Sequence, residues 1–271
     1  MSAVTKVIGF IGAGQLGEPM VARLVAAGHD VLVHARRPEV RDRVASQGAS
    51  MADSVADLAR QTDILISCLF SDAQLKEAGL GPDGLIANAK PGSVFVSHTT
   101  GTLSTLAALR DSHSPPPVIL DAPVSGTAEN IDAGTLTVLL GGPSDAVQMV
   151  TPVLAAYADP IVATGELGSA LAIKLVNNLL FSCNAQLLAA AIQLGQALGV
   201  DPGALLSALQ VCSSASHAAA QAHRVGGIEA FTEAATPFLR KDIAAALEAA
   251  GDAGVDLGLL GVVVDSGPLD L

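Results

Sequence analysis

Five short runs rich in β-branched and other apolar residues, at 7–11, 31–34, 64–69, 94–97 and 118–120, alternate with stretches that read as helix near 15–27, 38–47, 53–60, 71–78 and 102–110. A helix between each pair of strands returns the chain to the same end of the sheet, so neighbouring strands run parallel. The pattern predicts an α/β fold: a Rossmann-type, doubly wound, mostly parallel sheet covered by helices on both faces. Pro38 and Asp53 read as cap or first-turn residues opening two of the helices. A later strand at 135–140 runs into Gly141-Gly142-Pro143, after which another helix begins.

From Gly165 the β-branched runs stop. Residues 168–199 read as one long helix without proline, apolar nearly all round at Leu171, Ile173, Leu175, Val176, Leu179 and Leu180. Such a helix is expected to be buried between layers or subunits. Asp201-Pro202, Gly226-Gly227 and Gly251 punctuate the helices that follow, and 258–271 carries no clear pattern. The expected division is a nucleotide-binding sheet domain at 1–164 and an all-helical domain at 165–271.

Half of the 271 residues are apolar and 15% are charged, enough apolar surface for a large core and too little charge for disorder. The net charge of −12 argues against duplex DNA or an anionic membrane as partner. The charge is uneven: 1–110 hold ten basic and ten acidic residues, 111–271 four basic and sixteen acidic. Those four are Lys174, Arg224, Arg240 and Lys241. An anion bound in so acidic a half needs a locally arranged pocket, which singles out Lys174 and Lys241. Three cysteines without a CxxC suggest neither a disulfide framework nor a thiolate zinc site, and no His/Asp/Glu cluster has metal-ligand spacing. No secretory h-region is visible, and uninterrupted apolar runs stop short of the ~20 residues that cross a bilayer. A cytoplasmic protein is the resulting expectation.

Gly12-Ala13-Gly14-Gln15-Leu16-Gly17 follows the first strand and opens a helix, the context in which G-x-G-x-x-G signals dinucleotide binding. The first glycine permits the turn, the second lets backbone approach a pyrophosphate, and the third lets helix and strand pack closely. An acidic residue at the end of the second strand would hold a free ribose. Here Val31-Leu32-Val33 runs instead into His34-Ala35-Arg36-Arg37, with Asp30 at the other end of the strand and Glu39 in the next helix. Arg36 and Arg37 are suited to a 2′-phosphate, so NADP(H) is expected over NADH, with Arg41 and Arg43 reinforcing the basic patch.

Asp121-Ala122-Pro123-Val124-Ser125-Gly126 lies just past a strand, where open α/β sheets bind ligands. Its hydroxyl and close backbone N–H groups suit a small anion, though the same letters also make an ordinary turn. Lys174 and Asn178 are four apart, on one helix face with Leu171 and Phe181. A lysine on an apolar stripe either snorkels to water or meets an anion or a reacting group. Asn177 and Asn178 in so apolar a helix also require partners.

Four segments in order, GFIGAGQLGEPMVARLVAAGHDV, DAPVSG, GELGSALAIKLVNN and FLRKDIAAALEAA, resemble the β-hydroxyacid dehydrogenase family, which includes 3-hydroxyisobutyrate dehydrogenases and tartronate semialdehyde reductases and is related to 6-phosphogluconate dehydrogenase. The resemblance implies hydride transfer between a nicotinamide cofactor and a small 3- or 4-hydroxy acid or semialdehyde acid. It implies Lys174 as acid/base, Asn178 orienting the substrate, and Ser125 and Gly126 gripping its carboxylate. Gly12, Gly14, Gln15, Leu16, Gly17, His34, Arg36 and Arg37 would hold the cofactor, with Leu69, Phe70, Thr100 and Lys241 lining its cleft. The resemblance also implies dimer contacts through the long helix, and so a homodimer or higher oligomer.

The family's second glycine after DAPVSG is replaced by Thr127, so the motif does not fix the substrate. His98-Thr99-Thr100-Gly101-Thr102 lacks the family's Ser-Pro and is similar to imine reductases, which keep the fold without this lysine. The tail stops short of the family's last helix, from which a more open pocket is expected. An imine reductase-like enzyme and a non-catalytic NADP-binding sensor or scaffold are the alternative readings.

Overall fold

The computed structural model describes residues 6–271, so the part of the N-terminal reading that rests on residues 1–5 lies outside it. The chain divides into two compact units, 1–174 and 175–271. In the first, β1 (Val7–Ile11), α1 (Gly17–Ala26), β2 (Asp30–His34), α2 (Pro38–Ser46), β3 (Ser50–Met51), α3 (Val55–Gln61) and β4 (Ile64–Ser67) are followed by α4 (Asp72–Gly79), α5 (Leu85–Asn88), β5 (Val94–Ser97), α6 (Leu103–Asp111) and β6 (Val118–Asp121). The unit continues through β7 (Val124–Ser125), α7 (Ala128–Ala133), β8 (Leu136–Gly141), α8 (Ser144–Leu154) and β9 (Ala158–Gly165) into the start of α9 (Ser169–Ala197).

The strands form one sheet in the order 3-2-1-4-5-6-8-7, with β9 beside β8. The first six are parallel; β8 runs antiparallel to β6 and β7 and parallel to β9. The sheet buries Ile8, Phe10, Val31, Val33, Ile64, Ile66, Val94, Val96 and Leu120. Met20, Val21 and Leu24 of α1 join the same core because their spacing puts them on one helix face.

Several elements depart from the sequence reading. β9 was not anticipated: its Pro160 donates no ladder hydrogen bond, and most of its residues are partly or fully exposed, the signature of a tolerated edge position. The two-residue strands β3 and β7 and the short helices α5 and α7 are below the length at which periodicity is legible. The cap of α3 is Ser54, not Asp53: the Ser54 hydroxyl accepts the Asp57 N–H at 3.0 Å.

α9 corrects the expectation that no stretch reaches membrane length. By length and composition it is apolar enough to cross a bilayer, but 56% of its most apolar window is buried inside the protein, as in a core helix. In the second unit it is followed by α10 (Pro202–Leu209), α11 (His217–Arg224), α12 (Ile228–Asp252) and α13 (Leu259–Ser266). Leu188, Ile192, Leu206, Phe231 and Leu239 form one core cluster, with Ala218, Ala219 and Ala222 presenting small side chains to it. Leu179, Cys183, Ile243, Ala246 and Val264 form another. The unassigned 258–271 stretch thus contains a helix, and its tail is fastened by Gln186. That buried amide donates to Val264 O and Leu269 O and accepts from Leu269 N.

Candidate functional site

Strand register lines up the carboxyl ends of the parallel strands. Ile11 pairs with His34 on one side and Ser67 on the other; Ser67 pairs with Ser97, and Ser97 with Asp121. The glycine turn, the arginine pair, Leu69 and Phe70, Thr100, and Ser125 and Gly126 all come within a few residues of that row. Every first-unit candidate named from the sequence except Lys174 thus lies at or follows the end of one of these strands, and Lys174 lies on α9.

The three motif glycines play different parts. Gly12 has φ +96°, and a Cβ there would lie 2.3 Å from Cys68 O. A Cβ on Gly17 would lie 2.1 Å from Gly12 O. Both are demanded by the protein's own packing. A Cβ on Gly14 would meet nothing within 4 Å, and its backbone is not left-handed. The fold alone has no need of a glycine at that position; the space it leaves fits an incoming phosphate group at the start of α1, whose N-terminus has no side-chain cap. Gly14→Ala is therefore expected to leave stability within about 0.5 kcal/mol of the parent while raising the cofactor Kd roughly tenfold or more through steric exclusion. Thermal melting and fluorescence titration read the two effects separately. Parental cofactor affinity would remove Gly14 from the site.

Gln15 is exposed beyond the turn and Leu16 is half-buried at the N-cap of α1. His34 lines a cleft of about 480 Å³ with Asp53, Ser54, Glu77, Leu80 and Gly81. Arg36 stands near Glu77 (4.0 Å) and Arg37 near Glu39 (3.7 Å), all four exposed. Arg43 lines one cleft with Gly14, Gln15 and Arg37, but its charge is paired with Glu18. Its Nε and a terminal nitrogen each donate to Glu18 at 2.8 Å, fastening α2 to α1. That hydrogen bonding holds the Glu18 carboxyl below its ordinary value.

Beyond β4, Leu69 N donates to Thr99 Oγ1 (3.2 Å) and Phe70 N to Gln74 Oε1 (3.1 Å), with the Phe70 ring largely exposed. Thr100 follows Thr99 on the next strand end and is half-buried. Asp72 joins the two strand ends and was missed from sequence. Its carboxylate accepts from Thr102 N (2.9 Å), Thr105 Oγ1 (2.7 Å) and Lys76 Nζ (2.9 Å). Burial alone would raise this carboxyl, but the hydrogen bonds from Thr105, Lys76 and Thr102 N–H keep it below its usual value.

The DAPVSG segment is not one loop. Asp121 ends β6, and Val124–Ser125 is itself a strand paired to β8. Ser125 and Gly126 are exposed at its end. Gly126 has φ +142°, and a Cβ there would crowd Leu136 Cδ1 at 2.9 Å. Thr127, the departure from the family motif, is the N-cap of α7, and its N–H donates to Asn130 Oδ1 at 2.9 Å.

Asp121 has a role that the motif alone did not reveal. Buried at 2% exposure, its carboxylate accepts Gly168 N and Leu171 N, each at 2.7 Å. It is a cap delivered from 47 and 50 residues away, and the negative group faces the positive end of the α9 dipole. Lys174, half-buried, is one turn beyond the capped residue Leu171 on the same helix. Asn178 lies a further turn along, about 6 Å of rise, and is 7% exposed. Its Oδ1 accepts from Asn177 Nδ2 at 3.2 Å. Lys241 lies on α12 in the second unit, 3.6 Å from Asp242. Among the described residues no group of His, Cys, Asp and Glu forms a metal site.

Residues 7–166 match the family model described as the NAD binding domain of 6-phosphogluconate dehydrogenase. Residues 168–265 match that described as NAD-binding of NADP-dependent 3-hydroxyisobutyrate dehydrogenase. Among curated relatives, 3-hydroxyisobutyrate dehydrogenase of Pseudomonas aeruginosa is 31% identical over 212 residues, covering 78% of this chain and 71% of that protein. The 2-(hydroxymethyl)glutarate dehydrogenase of Eubacterium barkeri is 32% identical over 212 residues, covering 78% and 70%. The solved structure of Mycobacterium tuberculosis 3-hydroxyisobutyrate dehydrogenase with L-serine superposes with a TM-score of 0.84 at 26% identity, covering 97% of this chain and 92% of that one.

Proposed function

The chain belongs to the β-hydroxyacid dehydrogenase family, an oxidoreductase on a nicotinamide-dinucleotide fold, and on that premise we propose that it moves a hydride between NADP(H) and a small carboxylate-bearing hydroxy acid or semialdehyde. The observation that carries this reading is the Asp121 cap. It fastens the first turn of α9 to the end of β6, and Lys174 follows one turn beyond the capped residue Leu171, which supports a role for it beside DAPVSG.

When bound, the nicotinamide supplies or accepts the hydride. The chain's own groups do the remaining work. Lys174 gives a proton to the carbonyl oxygen in reduction and takes it back in oxidation, and Asn178, one turn away, orients that oxygen. Ser125 Oγ and the backbone N–H groups at Gly126 hold the carboxylate. Leu69, Phe70, Thr100 and Lys241 are assigned to the cofactor. The apolar seam of α9 at Ile173, Leu180, Leu187 and Leu194, spaced by seven and each about half or more exposed, supports self-association through that helix.

The test is NADPH absorbance followed over a panel of 3- and 4-hydroxy acids, their semialdehydes and a cyclic imine. Turnover confined to the imine replaces this reading with the imine reductase alternative, and binding without turnover of any compound leaves the scaffold reading. For the cofactor, Arg36→Ala is expected to weaken NADPH by about 1.5–3 kcal/mol, the range of a hydrogen bond to a charged group, and NADH hardly at all. Equal losses for both cofactors in a fluorescence titration remove Arg36 from the 2′-phosphate.

A further inference from the structure

The reading above makes no use of His98, the largest polar side chain buried at the end of β5. It is 3% exposed and contacts Tyr157, which is fully buried. Its Nδ1 lies 2.6 Å from Ala122 O, and its Nε2 lies 2.8 Å from the Tyr157 hydroxyl. A carbonyl oxygen only accepts, so Nδ1 carries the proton and donates to Ala122. Nε2 is then the acceptor, and Tyr157 donates to it. Both ring nitrogens are satisfied by a neutral imidazole, and burial, which pulls its pKa down to about 4, keeps it neutral.

The position of these bonds gives them a consequence for the site. Ala122 N donates to Ser97 O at 2.7 Å. Consecutive residues 97 and 98 therefore hold both polar groups of Ala122. The next residue is Pro123, whose φ is fixed by its ring, so the plane of the Ala122-Pro123 peptide sets the direction in which the chain leaves for Val124, Ser125 and Gly126. On the other flank, Thr99 Oγ1 accepts Leu69 N. His98 and Thr99 thus tie the ends of β4, β5 and β6 together.

Resting on the functional reading above, we propose that His98 is a positioning residue, whose Nδ1–H to Ala122 O hydrogen bond orients the segment that grips the substrate carboxylate, while its bond to Tyr157 serves stability alone. The two nitrogens can be separated by amides: an Asn amide reaches the place of Nδ1, and a Gln amide that of Nε2. His98→Gln is expected to raise the substrate KM about tenfold with cofactor Kd unchanged. Amide hydrogen exchange across 122–127 should accelerate by a similar factor. His98→Asn and Tyr157→Phe are expected to lower the melting temperature while KM and that exchange stay parental.

The substrate is the hydroxy acid or semialdehyde that the parent turns over fastest in the panel. Equal KM changes in the two amide variants, or unchanged exchange in His98→Gln, overturn the proposal. If His98→Gln does not fold, a raised KM or faster exchange in His98→Asn or Tyr157→Phe overturns it, and parental values in both support it. A parent without turnover ends the functional reading instead, and the exchange measurement, which needs no substrate, still decides on the brace.

Discussion

Lys174→Ala is expected to bind NADPH as the parent does and to lose roughly 10²- to 10⁴-fold in kcat, the range that a positioned proton donor contributes. The side chain emerges from a helix face whose neighbours Leu171 and Asn178 are buried, so few other groups on that face can exchange a proton with a carbonyl oxygen. Lys174→Arg should restore the charge and little of the rate, because a guanidinium does not give up its proton in a protein. Lys174→Met keeps most of the aliphatic stem and should be as slow as alanine, separating proton transfer from packing. Steady-state rates with a cofactor titration on each variant decide the matter. A kcat within tenfold of the parent in Lys174→Ala would falsify the acid/base assignment.

Asp121→Ala carries the second large effect, and it joins stability to activity. The substitution strands two buried N–H groups at the start of α9, where each hydrogen bond to a carboxylate is worth about 1.5–3 kcal/mol. A loss of at least about 3 kcal/mol follows, which lowers the melting temperature by roughly 6–12 °C for a chain of this size. Asp121→Asn should recover only part of it, because the amide nitrogen would face an N–H donor. Below the transition both variants should still turn over more slowly than the parent, since the first turn of α9 loses the anchor that holds Lys174 in place. Unchanged melting, or a fully restored kcat at low temperature, would dissociate the cap from catalysis.

The alternation of β-branched runs with helical stretches was enough to specify the parallel sheet, because each rule involved acts within a few residues: side-chain branching favours strand, and spacing of 3.6 favours helix. The glycine turn was equally legible, but the sequence could not say that the fold itself needs Gly12 and Gly17 and leaves open space around Gly14. That distinction depends on Cys68 O, which packs against Gly12 from 56 residues away. Arg43 shows the converse failure. It reads as part of a basic patch until Glu18, on another helix, pairs its charge through two N–H groups. β9 stayed hidden because Pro160 interrupts it and an exposed edge strand lacks the polar-apolar alternation by which strands are recognised.

The sequence by itself determined the layered α/β architecture, the helical second half, the nucleotide turn and the placing of Lys174 and Asn178 on one helix face. Steric preference and periodicity are local properties, written in adjacent letters. Tertiary structure decided what holds those groups where they are: Asp121 as the distant cap of α9, Asp72 across two strand ends, and His98 between Ala122 and Tyr157. Each of these bonds joins residues about 24 to 59 positions apart. Their partners are chosen by strand register and helix packing, which exist only once the chain has closed upon itself.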